Sequence, residues 1–236
     1  MMNFDEKYWS EVIKRPDWYL EFVPYARKVA GQLGKDSEKL HEFYKTVRHF
    51  FEKALQEGLV ALADHGPDLD NQREPIDTIV IHHTSAKPGY RLTYMNATQL
   101  LNVYASYFAD PKEYEKSLKG RPIWSNHQQN GRQVFYVYHW LMRMDGSFEQ
   151  LLDDSQIGWH AGNWEINKRS VAVCLDNDYE RQNPTNETLQ TLAKHIKTHY
   201  PSVKNIIGHG EANPKTICPG TNFLAGWKPL LLEYLG

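Results

Sequence analysis

The first quarter of the chain carries the hydrophobic period of α-helices. Within residues 37–62, apolar side chains recur at steps of three and four and therefore share one helix face. They are Leu40, Phe43, Val47, Phe50 and Ala54. An aromatic-rich stretch at 16–33 precedes them, and Gly34 between the two segments suits a helix end. The short connection predicts two antiparallel helices, with Ser37 as the N-cap of the second.

Beyond residue 70 the pattern changes to short apolar runs separated by helical segments. The runs rich in β-branched or aromatic residues predict strands at 78–81, 133–141, 170–175 and 205–208. Helical periodicity predicts helices at 97–108, 186–200 and 223–235. Asp145-Gly146 predicts a hairpin turn that leads into residues 148–152.

Strands that alternate with helices predict an α/β fold, in which helices flank a mixed central β-sheet. The polar, turn-rich stretch that ends near residue 70 is typical of a boundary. We therefore expect a helical N-terminal extension at 1–70 and a second domain at 71–236.

Composition excludes several classes of protein. Of the 236 residues, 41% are hydrophobic and 13% aromatic, which is enough for a packed core and too much for a disordered chain. Lys plus Arg total 27 and Asp plus Glu total 29, so the net charge of −2 offers no electrostatic footprint for nucleic acid. No apolar run reaches the roughly 18 residues of a membrane span. Two cysteines cannot build a disulfide scaffold.

The first residues bear on location. The segment MMNFDEKYWS lacks the basic start and the apolar core of a secretory signal. We therefore expect a cytoplasmic protein, with release by lysis or by non-classical export left open.

Two predicted strands end in histidine, and one of them is followed by a cysteine. His82 and His83 follow the run 79–81, His209 follows 206–208, and Cys218 lies nine residues after His209. Side chains at strand ends are held rigidly by the sheet. Imidazole and thiolate are good zinc donors, and two histidines with one cysteine leave a fourth position open, as in catalytic zinc sites.

A second chemistry is open to the same residues. Cys218 could act as a nucleophile with a histidine as its base. That mechanism needs a third, orienting group and an oxyanion hole, and the sequence identifies neither. Zinc binding is therefore the preferred interpretation, although the spacing does not match a zinc finger.

An ordered set of short motifs resembles the zinc-dependent N-acetylmuramoyl-L-alanine amidases. This superfamily includes phage lysozyme-type amidases, bacterial cytosolic muropeptide amidases and animal peptidoglycan recognition proteins. The resemblance runs from about residue 76 to 223, and the order of the motifs makes it specific. They are IVIHHT (79–84), YHW (138–140), RMDG (143–146), GWHAGN (158–163), NKRSVAV (167–173), GH (208–209) and CPG (218–220).

The resemblance implies a Zn²⁺ cofactor and a peptidoglycan or muropeptide substrate. It assigns His82, His209 and Cys218 as the metal ligands. Tyr138, seven residues before Asp145, matches the tyrosine that hydrolytic members use to orient the zinc-bound water.

Two further assignments follow from the resemblance with alternatives. Counting back from Cys218 gives Thr216 as the residue beside the scissile carbonyl, whereas aligning through Asn213 gives Lys215. Lys215 is preferred because an ammonium stabilises an oxyanion more strongly than a hydroxyl does.

A groove that binds a glycan or a peptide is typically lined by aromatic faces and polar side chains. The candidate substrate-binding residues are His83, His160, Asn163 and Trp164.

The implied activity is hydrolysis of the amide between N-acetylmuramic acid and L-alanine. The alternative is a non-catalytic peptidoglycan-binding module of the same fold, which typically lacks a metal ligand. Because all three ligands and Tyr138 are present, the enzyme is favoured. Intact wall and recycled muropeptide both stay open as substrates, without a prediction of stem-peptide preference or oligomeric state. For residues 1–70, core packing, wall targeting, dimerisation and gating of the cleft all stay open.

Overall fold

The computed structural model describes residues 4–34, 37–180 and 182–236. The strands are β1 (Thr78–His83), β2 (Gln128–Gln129), β3 (Arg132–Gln133), β4 (Trp140–Met142), β5 (Phe148–Gln150), β6 (Ser170–Leu175) and β7 (Asn205–Gly208). The α-helices are α1 (Glu6–Val12), α2 (Tyr19–Leu33), α3 (Glu38–Gln56), α4 (Leu92–Gln99), α5 (Ser106–Ala109), α6 (Trp164–Arg169), α7 (Asn186–His199), α8 (His209–Ala212) and α9 (Lys228–Leu235). Short π-helical segments cover Leu100–Ala105 and Phe223–Trp227, and 3₁₀ turns cover Asp70–Gln72 and Glu113–Leu118. Among the described residues, none of these helices combines the length and the hydropathy that a bilayer span requires.

The chain divides into two compact units. The first contains residues 1–68 and 91–135, and the second contains 69–90 and 136–236. Helices α4 and α5 therefore group by contacts with the N-terminal helices, although they follow β1 in the sequence. The predicted division into 1–70 and 71–236 is drawn along the chain and stays a prediction.

The first unit contains the predicted helices with well-defined ends. Helix α2 stops at Gly34, which has φ +81°, and the Ser37 hydroxyl caps α3 by accepting from the Leu40 N–H at 3.1 Å. Helix α3 ends at Gln56, earlier than the predicted residue 62, and Gly58 follows with φ +70°. Glycine adopts this left-handed conformation without the steric cost that a Cβ imposes. The chain therefore leaves the helix at the first glycine after its apolar stripe.

The apolar stripe of α3 packs into an aromatic core. Phe51 is fully buried and contacts the rings of Trp18 and Phe22, with centroids 5.0 Å apart in both pairs. The predicted stripe names Phe50, which is only half-buried, and leaves out Phe51. Successive helical positions lie about 100° apart, so a one-residue shift moves the buried face by part of a turn.

The second unit is built on a five-stranded sheet in the order β5-β4-β6-β1-β7. Strands β4, β6, β1 and β7 are parallel neighbours, and β5 is antiparallel to β4. This arrangement confirms the predicted mixed sheet flanked by helices. Helices α7 and α9 cover one face over a continuous apolar core. It includes Ile79, Ile81, Val171, Val173, Leu175, Leu189, Leu192, Ile196, Trp227 and Leu231.

The predicted strand at 133–141 is wrong in its middle part. Only Arg132–Gln133 and Trp140–Met142 are strands, although the residues between them are largely buried. The Phe135 N–H donates to Asn96 Oδ1 at 2.6 Å instead of to a neighbouring strand. A buried backbone needs partners but not necessarily a ladder. The apolar run therefore signals burial, and β4 begins only where the chain reaches β6.

Candidate metal centre

The sheet brings the first two candidate ligands together. Strands β1 and β7 are parallel neighbours with Ile81 opposite Gly208, so His82 and His209 follow at the same edge. Their ring centroids lie 4.6 Å apart, and His82 is fully buried. A Cβ on Gly208 would lie 2.7 Å from the Phe223 ring, so glycine at the end of β7 permits the close approach of the Phe223 side chain.

The third candidate ligand comes from a loop that folds back on this edge. The Cys218 carbonyl accepts from the Gly210 N–H at 2.7 Å, and the Cys218 N–H donates to Thr216 Oγ1 at 3.1 Å. These bonds place Cys218 Sγ 3.8 Å from His82 Nδ1. One donor atom from each of His82, His209 and Cys218 lies within 4.8 Å of the other two.

The donor set fits a zinc ion. Tetrahedral zinc, with bonds of about 2.1 Å to nitrogen and 2.3 Å to sulfur, separates such a pair of donors by about 3.6 Å. Burial lowers the pKa of His209 to about 4 and that of His82 well below its usual value, so both rings are neutral donors. Burial raises the pKa of Cys218 to about 12. A thiolate there therefore requires a nearby cation to balance its charge.

Tyr138 lies beside His82. Its ring centroid is 4.8 Å from that of His82. Burial raises the pKa of Tyr138 well above 10, and the thiols of Cys174 and Cys218 add to the effect. The phenol therefore keeps its proton at neutral pH. Cys174 itself is buried within β6, as expected for a core residue.

His160 is buried against His82 and not exposed in a groove. Only 4% of the residue is accessible, His160 Nδ1 lies 3.1 Å from His82 Nε2, and His160 Nε2 lies 3.1 Å from Ser170 Oγ. Burial lowers the pKa of His160, and His139, His209 and Arg73 lower it further. Both ring nitrogens are used inside the protein, which differs from the substrate contact expected of His160.

The candidate His83 points away from the metal centre. Successive residues of a strand face opposite sides of the sheet, so only one of His82 and His83 can face the donors. His83 Nδ1 accepts from the Tyr179 N–H at 3.0 Å on the other face. Burial lowers the pKa of His83, although the Asp178 and Glu180 carboxylates oppose the shift.

The polar atoms of Asn163 and Trp164 make structural contacts. Asn163 Oδ1 caps α6 by accepting from the N–H groups of Glu165 and Ile166 at 3.1 and 3.4 Å. Trp164 Nε1 donates to Gln72 Oε1 at 3.0 Å. The Trp164 ring stays half-buried and available for an apolar contact. The roles of these residues in substrate binding stay predictions.

Lys215 and Thr216 both lie in the loop between His209 and Cys218. Lys215 is exposed, and its backbone N–H donates to Asn213 Oδ1 at 3.1 Å. Thr216 is half-buried with its hydroxyl oxygen on the Cys218 N–H. The loop therefore exposes the Lys215 side chain to solvent, whereas Thr216 fixes the backbone of Cys218, the candidate ligand. The choice between them stays a prediction.

One buried carboxylate, at the end of β6, was not predicted from the sequence. Asp176 follows β6 and accepts from the Gly89 N–H at 2.9 Å and from Arg143 Nη1 at 2.6 Å. Arg143 Nη1 also donates to the Tyr90 carbonyl at 2.8 Å. The pair therefore fixes the loop that leaves β1 after the histidines. Its sequence signal is a carboxylate at the end of an apolar strand.

The comparison with protein families agrees with this geometry. The model of the N-acetylmuramoyl-L-alanine amidase family matches residues 72–221. The chain belongs to this family, which confirms the resemblance seen in the motifs. At the level of the family, the function is the cleavage or binding of peptidoglycan.

The chain is also similar to solved structures of bacterial, bacteriophage and animal proteins. The N-acetylmuramoyl-L-alanine amidase LysC from Clostridium intestinale URNW is 17% identical, with 73% of this chain and 95% of that chain covered and a TM-score of 0.45. The Ph2119 endolysin from the Thermus scotoductus MAT2119 bacteriophage Ph2119 is 20% identical, with coverages of 69% and 86% and a TM-score of 0.42. Drosophila peptidoglycan recognition protein SD is 19% identical, with coverages of 66% and 79% and a TM-score of 0.40. The comparison with curated proteins gives no match.

Proposed function

We propose that the chain is a zinc-dependent N-acetylmuramoyl-L-alanine amidase. It hydrolyses the amide between N-acetylmuramic acid and L-alanine in peptidoglycan or muropeptides. The observation that carries this proposal is the convergence of donor atoms from His82, His209 and Cys218 within 4.8 Å. When bound there, zinc supplies a Lewis acid that polarises a carbonyl and lowers the pKa of water to about 7.

The chain's own residues supply orientation and charge. Tyr138 keeps its phenolic proton beside His82 and donates a hydrogen bond to the oxygen at the reacting centre. Lys215 contributes an ammonium that stabilises negative charge developing on the amide oxygen. Thr216 is the alternative for this role, and its contact with the Cys218 backbone favours a structural part instead.

The raised pKa of Cys218 argues against cysteine nucleophile chemistry. A nucleophilic cysteine needs an accessible thiolate near neutral pH. Burial raises the pKa of Cys218 to about 12, and the contact from its sulfur to His82 Nδ1 is long, at 3.8 Å. A cation at the centre would balance the negative charge of the Cys218 thiolate.

The test measures metal and product together. Purified full-length protein should contain one zinc and release the L-alanine amino group from a defined muramyl peptide. His209→Ala should lose both zinc and activity. Tyr138→Phe should keep zinc while the turnover number falls by about 10²–10⁴-fold. Tyr136→Phe, two residues away, serves as the matched control.

Two results would count against the proposal. Absence of zinc together with unchanged activity in His209→Ala would remove the metal mechanism. Binding of the muramyl peptide without amine release would identify a binding module instead. Parallel assays on intact sacculi and soluble muropeptides determine which form of the substrate is used. A preference for soluble muropeptides would suit the expected cytoplasmic location.

A further inference from the structure

We propose that Ser170 and His160 hold the proton of His82 on Nε2 and thereby direct the His82 Nδ1 lone pair to the metal centre. His160 then acts as a positioning residue for a ligand and makes no contact with substrate. The inference rests on the proposed function for the identity of the metal. The hydrogen-bond chain that carries it lies entirely within the second unit.

The first step of the chain is the hydroxyl of Ser170. Ser170 Oγ lies 2.6 Å from the Ile166 carbonyl oxygen, which can only accept, so the hydroxyl donates its single hydrogen there. Toward His160 Nε2, at 3.1 Å, the same oxygen can therefore only accept. His160 must carry its hydrogen on Nε2.

The second step shows how the proton on His160 Nε2 fixes the tautomer of His82. His160 is only 4% exposed, and its two ring nitrogens meet an imidazole and a serine hydroxyl instead of a carboxylate that would hold a charged ring, so the ring is neutral and has one N–H. With that hydrogen on Nε2, His160 Nδ1 is an acceptor. His82 Nε2, at 3.1 Å, must then be the donor. The His82 Nδ1 lone pair is left on the side where Cys218 Sγ lies, 3.8 Å away.

The backbone around the chain is fixed by its own bonds. Ser170 begins β6 directly after α6, so its hydroxyl satisfies a carbonyl of the last helical turn that lacks a helical partner. Arg73 Nη1 donates to the carbonyls of Ser170 and Asn167 at 2.9 and 3.0 Å. Asn167 Oδ1 in turn accepts from the Ala161 N–H at 2.8 Å, next to His160.

This arrangement selects one tautomer before any metal arrives. In water a neutral histidine carries its proton on either nitrogen. A histidine in the wrong tautomer must move that proton to the other nitrogen before it can bind the metal. Partners of this kind in metal proteins change metal affinity by about 10–100-fold when they are removed. We therefore assign the same range to the loss of the His160 acceptor.

The affinity test uses full-length protein and zinc in competition with a chromophoric chelator. His160→Leu removes the acceptor and should weaken zinc binding about 10–100-fold. His160→Gln keeps a carbonyl oxygen that can accept from His82 and should restore most of the affinity. Ser170→Ala frees the His160 tautomer and should weaken binding to a smaller extent. His195→Leu removes a buried imidazole from α7 and should leave zinc affinity unchanged.

A second measurement reads the tautomer directly. In the full-length chain labelled with ¹⁵N-histidine, two-bond ¹⁵N–¹H spectra should show His82 protonated on Nε2, with zinc bound and after chelation. Ser170→Ala should shift His82 toward the Nδ1–H form after chelation. If His160→Leu does not fold, as judged by circular dichroism, the Ser170→Ala variant and the wild-type spectrum still test whether His82 is protonated on Nε2.

Failure of this inference is distinguishable from failure of the proposed function. His82 protonated on Nδ1 in a chain that binds zinc, or unchanged zinc affinity in His160→Leu, would overturn the positioning role alone. A chain that binds no zinc but carries the Nε2–H tautomer would overturn the proposed function and leave the hydrogen-bond chain standing.

Discussion

The imidazole of His195 stacks on the ring of Phe148, with 3.8 Å between centroids and 6° between planes. His195 projects from α7 and is buried, and its Nε2 has no hydrogen-bond partner among the residues that the structure describes. Burial lowers its pKa to about 4, and the neighbouring His199 contributes. A protonated His195 is therefore poorly accommodated in the folded chain.

Acid should destabilise the protein through this residue. An unfolded histidine titrates near pH 6.5, so between that pH and about 4 the unfolded state binds more protons than the folded state. The stabilising effect of neutral His195 is fully present above pH 6.5 and is lost as the pH falls through this window. Between pH 7 and 5 the loss amounts to about 2 kcal/mol.

Urea unfolding at several pH values measures this loss. In His195→Leu, the free energy of unfolding should fall about 2 kcal/mol less between pH 7 and 5 than in the wild type. His41→Gln, an exposed histidine on α3, provides the control and should keep the wild-type slope. Equal slopes in wild type and His195→Leu would contradict the assignment.

The local hydrophobic pattern predicts those elements of this fold that can be recognised from their own residues. Strands β1, β6 and β7 are short, continuous and β-branched, so their identity needs no knowledge of the rest of the chain. The approach of His82 to His209 depends on β1 and β7 being parallel neighbours, which the strand pattern does not predict, and it is expected only from the resemblance of the motifs.

Features that depend on distant polar partners could not be predicted in this way. The apolar run before β4 looks like a strand, but the Phe135 N–H bonds to the side chain of Asn96. Likewise, the GWHAGN motif identifies His160 as chemically relevant. The burial of His160 between His82 and Ser170 becomes visible only when three segments distant in sequence meet.

Separate substitutions in the ligand loop should distinguish Lys215 from Thr216. If the Lys215 ammonium stabilises the oxyanion, Lys215→Met should lower kcat by about 10²–10³-fold while zinc affinity stays unchanged. Thr216→Val removes the acceptor for the Cys218 N–H and should instead weaken zinc binding. Steady-state kinetics with zinc titrations on both variants make the comparison. The opposite pattern would assign the catalytic role to Thr216.

Removal of zinc should lower stability as well as activity. A ligand that binds only the folded state stabilises it by about 4 kcal/mol when its free concentration is 1,000 times Kd. Chelation should therefore lower the melting temperature of the wild type by roughly 10 °C. Cys218→Ala lacks one donor and should show a much smaller response to the chelator. Identical shifts in both proteins would place the stabilising metal elsewhere.

Asp176 should be among the most costly carboxylates to remove. It is 2% exposed and pairs with Arg143, whose side chain is 19% exposed. Within the described part of the chain, Asp176→Ala leaves this largely buried guanidinium with Glu149 alone as an ion-pair partner and releases the Gly89 N–H, so unfolding should become easier by on the order of 3 kcal/mol. Glu165→Ala is the matched control, because its exposed carboxylate pairs with Lys168 and such surface pairs contribute about 0–1 kcal/mol. Chemical denaturation of both variants measures the difference. Because Asp176 also holds the loop after β1, its loss should raise the KM for the muramyl peptide. Equal losses of stability in Asp176→Ala and Glu165→Ala would show that the buried pair does not anchor this loop.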